Sequence, residues 1–67
     1  MKLAIKNGSQ VEVNVNDYVC VTYHNGNSAM YSGEIQDMGE NFVLVKLDNQ
    51  GGYRRMKSEK ITELLVN

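Results

Sequence analysis

The chain has no proline, one cysteine, one histidine and one phenylalanine among its 67 residues. Each scarcity excludes something. Cys20 alone permits neither an internal disulfide nor a multi-cysteine metal site, and it separates the chain from cysteine-dense small secreted domains, so a reducing, cytoplasmic setting is expected. No segment approaches the roughly 20 apolar residues of a membrane-spanning helix, and MKLAIKNGS at the start lacks an apolar run of signal-peptide length. A soluble protein with no membrane contact is the expectation.

A chain of this length is expected to form one domain, residues 1–67, because it buries only roughly 60% of the surface its unfolded form exposes. With 42% hydrophobic and 22% charged residues it lies in the globular range. The net charge is −1, which argues against a sequence-independent DNA coat driven by neutralising many phosphates. The charge is nevertheless uneven. Arg54, Arg55, Lys57 and Lys60 stand against Glu59 alone, while the rest of the chain is acidic.

Apolar residues alternate with period two, which predicts strands separated by short turns. Met1, Leu3 and Ile5 lead through Lys6-Asn7-Gly8 to Val11, Val13 and Val15. A three-residue loop with Gly8 left-handed pairs Leu3 with Val11 and Met1 with Val13, giving both strands one apolar face. The same device at His24-Asn25-Gly26 places Val21 opposite Ala29 and Val19 opposite Tyr31. Gly33 interrupts the Ala29–Asp37 strand and predicts a bend or bulge. After a turn at 37–41, Phe42–Leu47 is apolar on both alternation classes and reads as a strand covered on two sides. The loosest loop is 48–52. Tyr53–Lys57 is the next strand, 58–60 a turn or 3₁₀ turn, and Ile61–Val66 the last strand. A terminal helix over Ser58–Val66 competes for this last stretch, since Ser58 can cap it. The expected fold is all-β: a small barrel of five to seven short antiparallel strands with an N-terminal β-hairpin, closed so that sheet edges disappear.

Catalytic chemistry finds little support. His24 sits at a hairpin tip without an oriented partner, and a metal site needs further ligands. Cys20 lies between Val19 and Val21 and reads as a small half-buried hydrophobe. Glu34, Asp37 and Glu40 flank a turn without the ligand spacing of a calcium loop. Gly51-Gly52 lacks the ending of a phosphate-binding loop and precedes a strand. No enzyme activity, metal or cofactor is expected. Tyr18 and Tyr53 fall at strand ends where a ring can be half exposed, and Tyr53 beside Arg54, Arg55 and Lys57 has the makings of a platform on which bases stack while cations meet phosphates.

From Val19 onward the order of features resembles the Sm-like family of small barrels. The residues that carry the likeness are Asn25-Gly26, then Gly33-Glu34-Ile35-Gln36-Asp37, then Phe42–Leu47, the basic Tyr53–Lys57 and Lys60-Ile61-Thr62, about two-thirds of the chain. Other SH3-like barrels, including Tudor-like and KOW-type modules, share the pattern, and the resemblance implies that the expected barrel is a small SH3-like (Sm-like) one. The resemblance implies that Tyr53–Lys57 is an edge strand able to pair with a neighbouring subunit, and that RNA meets residues near Asn25, Phe42 and Lys57.

Two functional readings follow. The first is a non-catalytic binding module that contacts RNA or single-stranded DNA through Tyr53, Arg54, Arg55, Lys57 and Lys60. Within that set Met56 is expected to point inward, leaving Tyr53, Arg55 and Lys57 as one outward row, with Arg54 reaching out from the core side. The second is a protein-interaction or self-assembly module, such as an accessory or inhibitor carried by a phage or mobile element, docking on an acidic partner or pairing edges with its own copies.

Overall fold

The period-two alternation becomes seven strands in a computed structural model that describes residues 1–49 and 51–67. Gln50, in the expected loop at 48–52, lies outside the described residues. The strands are β1 (Lys2–Ala4), β2 (Gln10–Glu12), β3 (Tyr18–Asn25), β4 (Asn27–Gly39), β5 (Phe42–Leu47), β6 (Tyr53–Lys57) and β7 (Ile61–Val66), with a 3₁₀ turn at Ser58–Lys60. The first two form a separate hairpin, and the other five form one antiparallel sheet in the order β6-β5-β4-β3-β7. β7 pairs with β3 from Val66 opposite Val19 to Ile61 opposite Tyr23, so its backbone groups are taken up by the sheet and the competing helix over 58–66 does not form.

The first hairpin has the expected register. Leu3 faces Val11, the Val13 N–H donates to the Met1 carbonyl at 2.9 Å, and Gly8 takes φ 87°, a conformation that suits glycine because it has no Cβ. The second hairpin departs from expectation by two residues. Val21 faces Tyr31 and Val19 faces Gly33, with the tip at Gly26 and Asn25 opposite Asn27. A shift of two leaves every side chain on the same face, so the apolar pattern alone does not distinguish the two registers.

β4 is longer than the sequence suggests, and the turn after it shrinks to Glu40-Asn41, because Gly39 pairs directly with Phe42. The irregularity expected at Gly33 lies farther along the strand: Gly33 pairs regularly with Val19 and Leu47, and the register breaks between Ile35 and Asp37. At Gly33 the backbones of β4 and β5 come so close that an added Cβ would sit 1.8 Å from the Lys46 carbonyl oxygen. Asn16, with φ 80°, donates its N–H to the Ile35 carbonyl at 2.8 Å, and Ile35 donates back to the Asp17 carbonyl at 2.9 Å, which ties the start of this register break to the segment before β3.

The core gathers Leu3, Ile5 and Val13 from the N-terminal hairpin region and Val19, Val21, Tyr23, Ile35, Val43, Val45, Met56, Ile61 and Leu64 from the five-stranded sheet, with Val11 partly buried against them. Fully burying each aliphatic side chain contributes about 1.5–3 kcal/mol. β5 is not covered on two sides as its composition suggests. Val43 and Val45 are buried, whereas Phe42 and Leu44 stand half-buried on the outer surface. Nor is the five-stranded sheet closed: β6 and β7 remain its two edges, joined through the 3₁₀ turn. At the end of β6 the Lys57 N–H goes to the Tyr23 side chain.

Candidate functional site

β6 is an edge strand with strict alternation. Tyr53, Arg55 and Lys57 are exposed, Arg54 is half-buried and Met56 is fully buried. The outward row expected from the sequence is therefore present, and Tyr53 retains 59% of its accessible surface.

Arg54 lies on the core side. Its guanidinium carbon is 5.0 Å from the centroid of the Tyr31 ring and 5.9 Å from that of Tyr23, so it rests on two aromatic faces at the mouth between β6 and the β3–β4 hairpin. Lys60 is also set apart from the row. Its Nζ donates to Asn25 Oδ1 at 2.9 Å, tying the 3₁₀ turn to the hairpin tip. The five cluster residues thus divide into an outward row of three and two cations engaged with the β3–β4 hairpin.

The pairing with β5 supplies what the row lacks. Lys57 faces Phe42, Arg55 faces Leu44 and Tyr53 faces Lys46. The Arg55 guanidinium carbon lies 4.3 Å from the centroid of Phe42, a cation on the face of a half-exposed ring. Asn41, Phe42, Arg55, Lys57 and Glu59 line an open cleft at the end of this face. Lys46 was absent from the sequence-predicted set, although it is the only charge in FVLVKL. Its signal was the 48–52 loop, which makes β5 and β6 antiparallel neighbours.

Beyond Lys46, a second cleft is lined by Tyr18, Glu34, Lys46, Leu47 and Asp48. The Tyr18 hydroxyl donates to the Asp48 carboxylate, and that bond, aided by desolvation, raises the Tyr18 pKa above its usual 10.0. His24 is exposed at the hairpin tip with Nδ1 3.3 Å from Ser28 Oγ, and Cys20 is half-buried on the outer face of β3. Among the described residues no three His, Cys, Asp or Glu side chains converge as metal ligands, and no helix is long and apolar enough to cross a membrane.

No family model, curated protein or solved structure matches the chain.

Proposed function

We propose that this chain is a non-catalytic, cytoplasmic binding module of the small SH3-like (Sm-like) barrel type that holds an RNA or single-stranded DNA segment on the outer face of β5 and β6. The observation that carries this reading is the interleaving of Lys46, Arg55 and Lys57 with Tyr53, Phe42 and Leu44 on one exposed surface. Cations there meet phosphates, and rings and aliphatic groups meet base faces, in a chain whose other surfaces are mostly acidic or neutral. The barrel assignment is supported by the strand order, in which the last strand of the five returns to lie beside the first, and by the 3₁₀ turn that precedes it.

The test is a fluorescence-anisotropy titration of a labelled oligonucleotide at low salt. With about three phosphates neutralised, raising salt from 50 to 200 mM is expected to weaken binding roughly twentyfold. Arg55→Ala is expected to flatten that salt slope by about one-third. Absence of binding to any single-stranded oligonucleotide at low salt and high protein concentration refutes the reading.

A protein-interaction role is favoured by a separate observation. The β7 edge carries exposed Leu65 and Val66 beside an apolar cleft that also includes Tyr18 and Cys20. One protein captured reproducibly after nuclease treatment, with no oligonucleotide binding, supports this second reading.

A further inference from the structure

The outer face of β5 and β6 is repetitive. Antiparallel pairing brings Lys46 opposite Tyr53, Leu44 opposite Arg55 and Phe42 opposite Lys57, and because only alternate pairs share a face these are successive rungs of one surface. Each rung has the same composition: one cation and one aromatic or aliphatic side chain. Successive rungs are about 6.8 Å apart, twice the strand rise. A nucleotide likewise offers one charge and one apolar face, and a strand whose bases are splayed apart advances by roughly the same distance per residue.

Resting on the reading that this face binds a nucleic-acid strand, we infer that the ligand lies along β6 with one nucleotide per rung, so that the site takes three successive unpaired nucleotides. The bases need to be unpaired because a base face meets the apolar member of the rung or, at Phe42, the Arg55 guanidinium that lies over its ring, and in a duplex those faces are covered by stacking. The rungs offer few groups to read base edges: Leu44 and Phe42 have no polar atom, and Lys46, Arg55 and Lys57 are donors only. Recognition is therefore tolerant of sequence, as expected where stacking and phosphate contact dominate. Arg54 and Lys60, engaged with Tyr31, Tyr23 and Asn25, lie outside the footprint.

The footprint is measurable by titrating the isotopically labelled protein with oligothymidylates of two, three, four, six and twelve nucleotides at low salt, following backbone amide shifts. The expected result is a steep gain in affinity from two to three nucleotides and a plateau beyond four, once the number of available registers is divided out. Shifts are expected at 42–46 and 53–57. Lys46→Ala and Arg55→Ala are each expected to weaken trinucleotide binding roughly threefold or more, with Lys2→Ala as the folded control. Affinity that keeps climbing more than tenfold between four and twelve nucleotides after this correction overturns the three-rung footprint while leaving strand binding intact. Equal affinity for a blunt duplex overturns the requirement for unpaired bases. No binding of the twelve-nucleotide ligand refutes the underlying nucleic-acid reading itself.

Discussion

The hydroxyl of Tyr23 accepts a hydrogen bond at 3.2 Å from the backbone N–H of Lys57, joining the middle of the molecule to the last residue of β6. Tyr23 is on β3, and β3 and β6 are separated in the sheet by β5 and β4. The bond therefore spans the inside of the curl, and a side chain takes the place of a neighbouring strand. It also fixes the position at which β6 ends and Lys57 turns outward.

Tyr23→Phe keeps the ring and removes the acceptor. The Lys57 N–H loses its partner in a part-buried setting, which is expected to cost about 1–3 kcal/mol. Urea denaturation checks this: the midpoint falls while the slope is unchanged. An unaltered midpoint shows that water replaces the hydroxyl at no cost.

Gly33→Ala and Gly52→Ala are chemically identical and structurally opposite. At Gly33 the added methyl would lie 1.8 Å from the Lys46 carbonyl oxygen and 2.8 Å from its carbon, whereas nothing lies within 4 Å at Gly52. Backbone cannot yield as a flexible side chain does. Gly33→Ala is expected to lose about 3 kcal/mol or more, or to fail to fold, and Gly52→Ala to stay within about 0.5 kcal/mol of the parent. Circular dichroism melts separate the two outcomes.

Tyr18 gives the fold a signature at alkaline pH. Its folded pKa is raised, first by the hydrogen bond to Asp48, so its contribution to stability is complete below the unfolded value near 10.0 and is lost as pH rises through the folded value. The difference in melting temperature between the parent and Tyr18→Phe is therefore expected to be constant from pH 7 to 9 and to shrink above pH 10. Absorbance at tyrosinate wavelengths offers a second check, since Tyr18→Phe removes a late-titrating phenol.

Arg54→Ala and Arg55→Ala are expected to fail differently. Arg54 covers Tyr31 and Tyr23 at the mouth of the core, so its loss is expected to lower stability by about 0.5–2 kcal/mol. Arg55 lies on the half-buried ring of Phe42, where the stability loss is expected to be about 0.5–1 kcal/mol, and its principal effect is expected on oligonucleotide affinity. Parallel denaturation and binding measurements on both variants distinguish them.

Much of the fold was legible because alternation is a strong signal. The bounds of β5, β6 and β7, the 3₁₀ turn and the register of the first hairpin follow from which residues are apolar and where Asn-Gly falls. The second hairpin is offset by two because such a shift preserves the face, so the apolar pattern does not discriminate between the registers. β5 looked two-sided because Phe42 and Leu44 are apolar, yet they serve an outer surface shared with Arg55 and Lys57. Sheet closure was likewise not legible, since it depends on whether two edges meet in space. Within the candidate site, the inward Met56 and outward Tyr53, Arg55 and Lys57 could be read from parity. Phe42 entered only through the Sm-like resemblance, and Lys46 was missed because parity within β6 says nothing of a partner strand, although the 48–52 loop makes β5 its antiparallel neighbour.

The alternation of β6 places adjacent residues under unrelated demands. Arg54 and Met56 answer to the interior, while Tyr53, Arg55 and Lys57 project from the opposite side and touch no residue of the buried core cluster in the strand pairing that holds them. The outward three can therefore be exchanged one at a time, as a cassette, with the Arg55 contact to Phe42 the one stabilising interaction at stake. A library randomised at only these positions is expected to keep the buried side of the strand intact while varying its outer side, which makes this short strand a graft site for new binding surfaces.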